Sequence, residues 1–445
     1  MTASRHNRDA RTDLGAGVPC TADVPAASVV LPTPGGPMIR TVDQHRDAVL
    51  GLVVPTAAHT VALEDGAGLV LAEDVTAHEA LPRFDNSAMD GYAVRAADVA
   101  GATPGSPVHL RVVGDLAAGT DAEPVVEAGT AARIMTGAPV PPGADAIVPV
   151  EVTDAGIVEV EVREPSPAGR HVRRVGEDVS AGDVVLRAGS ELTPYRLAAV
   201  ASVGRAEVVV HRRPVVVVLA TGSELVTPGV APRRGQIPDS NSYLLAAAAA
   251  AAGARVQRLG VVPDDPDLLA EALGAQYPAA DLVVTSGGVS VGAYDVVKEV
   301  LAPLPGMSFV SVAMQPGKPQ GFGLLPDGTP VVSLPGNPVS AFVSFEAFVR
   351  PAILRLRGLS GAALERPRLR ARVTQGWSSP AGREQHIPVT IVEDDGEVLV
   401  RPAAARGSGS HLVASLAAAD GLAVVPADVE QVTEGDHVTV IRIAS

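Results

Sequence analysis

The sequence predicts a multidomain α/β plus β protein: a three-layer αβα domain with a mostly parallel sheet, an inserted β-rich domain, a small linking domain and a C-terminal β domain. Three observations carry that prediction. Residues 208–360 alternate continuous apolar runs with helical stretches, the pattern of parallel strands covered on both faces. Residues 84–172 show short strands split by Pro-Gly turns. A chain of 445 residues, 47% of them hydrophobic, can also fill several cores.

Taken in order, residues 1–37 mix polar residues with Pro and Gly, lack a period and read as a disordered tail. Segment 38–60 carries a helix, Thr41–Val54, with Val42, His45, Val49 and Val53 on one face for packing against the α/β domain. Segments 61–83 and 173–207 are expected to pair as the linking domain around the insertion. They hold a helix start and short strand in Val61–Val75, a strand at Asp183–Leu186 and a helix over Thr193–Val203. The α/β domain, 208–360, is expected to have strands at Val215–Leu219, Val256–Val261, Leu282–Val284 and Val331–Leu334. Helices are expected at Ser242–Ala252, Pro266–Leu273, Val296–Leu301 and Val339–Leu354. Residues 361–445 return to alternating strands, Val398–Arg401, Leu422–Val425 and Val438–Ile443, as a C-terminal β domain.

Composition excludes several classes of function. A net charge of −15 argues against nucleic acid, whose phosphates demand clustered Lys and Arg. No run of 18 apolar residues exists, so no membrane-spanning helix is expected. Cys20 is the one cysteine, which rules out a disulfide framework or a thiolate metal site and fits a reducing cytoplasm.

Parallel sheets bind ligands beyond the carboxyl ends of their strands, so the loops after these strands should share one edge. After Leu282–Val284 the chain runs Thr285-Ser286-Gly287-Gly288, with Ser290 next. Hydroxyls and freely folding glycines there suit either a plain turn or a cradle of N–H groups for an oxyanion. Lys318 is one of only two lysines, and the backbone of Pro316-Gly317-Lys318-Pro319 is restricted, as a fixed point charge requires. Pro335-Gly336-Asn337-Pro338-Val339-Ser340 joins a strand to a helix, where Asn337 either caps the helix or faces a ligand. Glu224, Asp264, Asp265 and Asp295 each follow an apparent strand. Singly they suit caps or solvated turns; together, opposite anion loops, they suggest a hard cation, Mg²⁺. In the insertion, Asp90-Gly91 and the stretch around Thr136 read locally as turns and strand ends.

Together these stretches resemble the molybdopterin molybdenumtransferase family, of the MoeA and gephyrin E-domain type. The matching segments are FDNSAMDGYAV (84–94), RIMTGAPVP (133–141), VRRVGEDV (172–179), ATGSEL (220–225), DDP (264–266), TSGGVSVGAYD (285–295), PGKP (316–319), LPGNPVS (334–340) and GSH (409–411), in the family's order. The resemblance implies insertion of molybdate into adenylylated molybdopterin with release of AMP, a divalent cation, and a homodimer. Each active site of that dimer would join the α/β domain of one subunit to the β insertion of the other. It implies functional acids and a hydroxyl at Asp90, Thr136, Glu224, Asp264 and Asp295, the cation resting on Asp264 and Asp295. It implies oxyanion contacts at Lys318, Ser340 and Ser410. Ser286, Gly287, Gly288, Ser290, Gly317, Pro335, Gly336 and Asn337 complete the substrate-binding set, and transient contact with other cofactor-biosynthesis proteins is expected.

Two departures stand out. The family often has lysine before PGKP, where this chain has Gln315. It often has arginine a few residues after a Gly-Arg pair, but Gly382-Arg383 leads here to His386-Ile387-Pro388. Arg383 and His386 are the candidates to compensate. The rival readings are a molybdopterin adenylyltransferase, against which the two β domains speak, and a non-catalytic pterin-binding scaffold, against which the retained acids speak.

Overall fold

A computed structural model describes residues 39–275, 280–289, 295–404 and 411–443. The expected tail, Cys20, Ser290 and Ser410 lie outside the described residues.

The chain enters through β1 (Ile39–Arg40) and α1 (Val42–Leu50), whose Thr41 side chain accepts from the Gln44 N–H while Gln44 answers in kind. Val42, His45, Val49 and Val53 are all buried, as the period of the sequence requires. Ala58–Ala62 then pairs with Glu207–His211, and Val75–Thr76 with Val184–Leu186, around a small core of Leu71, Leu192, Val200 and Val210. Helix Pro194–Ser202 packs here. The helix start expected in Val61–Val75 is only the single 3₁₀ turn Leu63–Asp65, which Gly66 and Gly68 do not let propagate. Between these paired segments lies the five-stranded inserted sheet, ordered Glu159–Val162, Val108–Leu116, Thr130–Ile134, Gly91–Val94, Ala146–Pro149.

The α/β domain is built from β2 (Val215–Thr221), α2 (Asn241–Ala251), β3 (Arg255–Val262), α3 (Pro266–Gly274), β4 (Leu282–Ser286) and α4 (Val296–Leu301). It continues through β5 (Ser308–Val312), β6 (Met314–Gln315), β7 (Pro319–Leu324), β8 (Pro330–Leu334), α5 (Pro338–Ser344) and α6 (Arg350–Leu356). Its seven-stranded sheet has the order β1-β5-β7-β8-β4-β2-β3. Val216 and Val218 of β2 enter one core with Leu245 and Phe348, while Val217 and Leu219 enter the other with Leu269 and Val297. Both faces of the strand are therefore buried, which is why its sequence is continuously apolar.

Two strands and one helix depart from expectation. β5 and β7 are not among the expected strands but form an antiparallel run with β8. The sheet is thus parallel from β8 through β4 and β2 to β3, and mixed beyond. The single helix expected over Val339–Leu354 is α5, a π-turn at Phe345–Val349, and α6. Pro351 has no N–H to offer the preceding turn, and the Ala347 carbonyl accepts instead from Arg46 Nε of α1 at 3.3 Å.

The C-terminal domain comprises β9 (Arg368–Val373), β10 (Glu384–Asp394), β11 (Glu397–Pro402), β12 (Gly421–Val425) and β13 (His437–Arg442), with β12 closing back onto β10 as a small barrel. β6, leaving the α/β domain, adds to the start of β10 in parallel, Met314 opposite Glu384 and Gln315 opposite Gln385. No helix among the described residues is long and apolar enough to cross a membrane.

Candidate active site

The carboxyl ends of β2, β3, β4 and β8 share one edge of the sheet. The antiparallel run of β5 and β7 brings the 313–318 loop to that edge as well, since Ser311 pairs with Pro319. A cavity of about 800 Å³ opens there.

Glu224, Asp264 and Asp295 all line it, each from a different strand end. Local hydrogen bonds decide which acids are occupied. The Asp265 side chain caps α3, accepting from Asp267 and Leu268 N–H at 3.0 Å each, so the adjacent Asp264 is the acid directed to the cavity. Asp264 Oδ2 accepts from the Ser223 N–H at 2.8 Å, and the Ser223 hydroxyl accepts from the Asp264 N–H at 3.2 Å, tying the β2 and β3 loops together. Asp295 and Asn337 stand at helix N-cap positions, yet neither side chain makes a capping bond; both line the cavity.

Ser286, Gly287 and Gly288 form one wall and Pro335, Gly336 and Ser340 the wall beside it. Gly287, at φ +102°, lies so close to the end of β2 that a Cβ would meet the Thr221 carbonyl oxygen at 2.5 Å. The paired glycines thus permit a close backbone approach no other residue allows. Gly317 and Lys318 do not line the cavity itself; Lys318 is exposed in the loop just before Pro319, which does.

Of the two residues expected to compensate at this loop, Arg383 is the one in place: its Nη1 donates to Gln315 Oε1 at 3.1 Å. His386 is buried and turned away, bonded through Nε2 to Glu384 at 2.8 Å, where it helps hold the Glu384 carboxyl below the usual range.

Asp90 and Thr136 are together, but elsewhere. They flank the paired strand ends Gly91 and Ile134 of the inserted sheet, and Asp90 Oδ1 accepts from both the N–H and the hydroxyl of Thr136 at 2.7 Å. Those bonds, the backbone one first, hold the exposed Asp90 carboxyl below its ordinary range. Neither residue lines the cavity of its own chain.

Asp239, Asn241 and His411 also line the cavity. Asp239 is buried and caps the start of α2 through the N–H and hydroxyl of Ser242. Asn241 donates to both Ser286 and Gly336. His411 enters from the C-terminal domain. In the sequence Asp-Ser-Asn-Ser before an Ala-rich helix signals only a helix start, which hid Asp239 and Asn241. Among the described residues no three His, Cys, Asp or Glu side chains converge as a metal cage.

Comparison with known proteins gives this geometry its relatives. Three family models match in succession: the MoeA N-terminal region (domain I and II) over residues 40–204, a probable molybdopterin binding domain over 217–355, and the MoeA C-terminal region (domain IV) over 370–443. The chain is 46% identical over 408 residues to molybdopterin molybdenumtransferase 2 of Mycobacterium tuberculosis, covering 90% of this chain and 99% of that one. It is 37% identical over 406 residues to the molybdopterin molybdenumtransferase of Haemophilus influenzae, covering 90% and 98%. A crystal structure of the molybdopterin biosynthesis MoeA protein from Pyrococcus horikosii superposes with a TM-score of 0.77 at 33% identity, covering 92% of this chain and all of that one. With family models spanning most of its length, the chain belongs to the MoeA family of molybdopterin molybdenumtransferases.

Proposed function

We propose that this chain transfers molybdenum, supplied as molybdate, into adenylylated molybdopterin with release of AMP, as a cytoplasmic homodimer using Mg²⁺. The observation that carries the reading is a conflict of charge inside the cavity. Its described walls hold Glu224, Asp239, Asp264 and Asp295 and no lysine or arginine, yet glycine loops suited to anions open into it. Two anionic substrates enter such walls only if a cation offsets the carboxylates.

Mg²⁺ fits the donors present: hard carboxylate oxygens, too few for an all-protein cage, leaving room for water and substrate phosphate. When bound it supplies Lewis-acid polarisation of the phosphoanhydride. Asp264 and Asp295 would hold it, Asp264 chiefly by the oxygen that Ser223 does not use.

In this reading the Ser286–Gly288 and Pro335–Asn337 loops receive the pterin phosphate through backbone N–H groups, and Ser290, outside the described residues, belongs to the same substrate-binding set. Gly317, Lys318, Ser340 and Ser410 orient the oxyanion, whose oxygen serves the cleavage that frees AMP. Glu224 orients water or takes a proton. Asp90, kept ionised by Thr136, is a fixed carboxylate and not a proton store. We place Asp90 and Thr136 in the cavity of the second protomer.

Incubation with adenylylated molybdopterin, Mg²⁺ and molybdate is expected to release AMP only when molybdate is present. ATP-dependent adenylylation of free molybdopterin would make the chain an adenylyltransferase instead, and binding without turnover a scaffold. Asp295→Asn is expected to abolish release with an unchanged circular dichroism spectrum; full activity would sink the cation assignment. Asp90→Asn and Asp295→Asn chains refolded together are expected to regain about a quarter of wild-type activity, since half the dimers are mixed and each carries one intact site. No recovery would count against shared sites.

A further inference from the structure

Two buried amides brace the cavity loops, and packing alone does not account for either. Asn241, at the start of α2, donates through Nδ2 to Ser286 Oγ at 2.8 Å and to the Gly336 carbonyl at 2.7 Å. It thereby ties the end of β4 to the Pro335–Ser340 loop. Gln320, in β7, donates through Nε2 to the Gly317 carbonyl and to Ser344 Oγ, both at 2.7 Å. It ties the Lys318 loop to the end of α5. Gly317 sits at φ +105°, where a Cβ would meet Ser344 Oγ at 2.8 Å, so loop and helix are flush at this point.

The orientation of both amides is forced. Turning either one over would set its oxygen 2.7 Å from a backbone carbonyl oxygen. In the forced orientation, Asn241 Oδ1 and Gln320 Oε1 are buried with no hydrogen-bond partner among the described residues. A side chain kept only to fill space would carry no unmet buried acceptor, so what each amide supplies is its pair of donor bonds, which place the two loops.

The geometry points to Asn241 and Gln320 as positioning residues of the transfer reaction: Asn241 sets the glycine wall that receives the pterin nucleotide, and Gln320 sets the loop that presents Lys318 to the oxyanion. This rests on the transfer reading above.

Asn241→Leu and Gln320→Met in the full chain test it. Gln320→Met is expected to raise the half-saturating molybdate concentration at least fivefold, and Asn241→Leu that of adenylylated molybdopterin. Saturated kcat should stay within about twofold of wild type, and Tm should fall by no more than about 5 °C, the scale of one buried hydrogen-bonding group. Gln320→Asn, which keeps the amide but shortens its reach, should recover part of the molybdate affinity. Unchanged half-saturation, with kcat and Tm falling together, would make both amides packing groups and overturn the inference. Calorimetric titration with molybdate alone reads Gln320→Met without turnover. If wild type binds molybdate, weakened by Gln320→Met, but releases no AMP, the transfer reading fails and the loop assignment stands. If wild type binds no molybdate, the inference falls.

Discussion

Arg383 Nη1 stands 3.1 Å from Gln315 Oε1, so a guanidinium from the C-terminal barrel reaches the loop that carries Lys318. Where the resemblance leads one to expect a lysine, this chain uses a neutral amide and borrows its charge from Arg383, 68 positions on, in the turn just before β10. Arg383→Met is expected to raise half-saturating molybdate about tenfold, the loss of one charge-assisted hydrogen bond. Gln315→Lys in the same chain should restore it. Steady-state AMP release against molybdate concentration measures both.

Asp90 gives a pH prediction with a fixed sign. Its folded carboxyl is held below the ordinary value by Thr136, so the stabilising bonds are complete above that ordinary value and are lost as pH falls through the folded one. Thr136→Val removes the hydroxyl donor and should move the Asp90 titration upward, toward an ordinary aspartate. Carboxyl-detected NMR titration reads the shift directly. The acid limb of the activity profile should move to higher pH with it.

How much of this was legible in the sequence depends on what each residue touches. Val215–Leu219, Leu282–Val284 and Val331–Leu334 could be read because burial on both faces leaves an unbroken apolar run. β7 could not, because Pro319-Gln320-Gly321-Phe322-Gly323 looks like a loop. Its glycines are demanded by neighbours far along the chain: a Cβ on Gly321 would meet the Phe309 ring at 2.7 Å. Glu224, Asp264 and Asp295 stood out by following strands, whereas Asp239 and Asn241 were masked as a helix start. Asp90 and Thr136 carry no local signal beyond a strand end, and only resemblance marked them.

His45 should make the fold sensitive to acid. It is fully buried between the edges of Phe322 and Phe348, and burial, then the nearby Arg40, push it down from 6.5 to about 3. Below 6.5 the unfolded chain takes a proton that the folded chain refuses. Stability is therefore complete above 6.5 and falls toward pH 3, by about 1.4 kcal/mol per pH unit where only one state is protonated. His45→Leu should flatten that part of a urea-denaturation series.

Arg357 fastens the linking segments to the α/β domain. It donates to Glu191 Oε1 at 2.7 Å, the Gly68 carbonyl at 3.0 Å and the Ala252 carbonyl at 3.1 Å. Arg357→Met leaves two carbonyls without their donor and should cost roughly 2–3 kcal/mol. The midpoint of urea unfolding checks it.

The pairing of β6 with β10 also has a consequence for how the protein is made. Met314 and Gln315 emerge from the ribosome well before Glu384 and Gln385, and β10 is itself held by β12, which lies later still. The nascent chain can complete its αβα sheet and yet lack the strand that presents Arg383. Synthesis thus reaches the Lys318 loop early and completes its surroundings only with the C-terminal barrel, so a chain released before those strands form lacks the Arg383 contact.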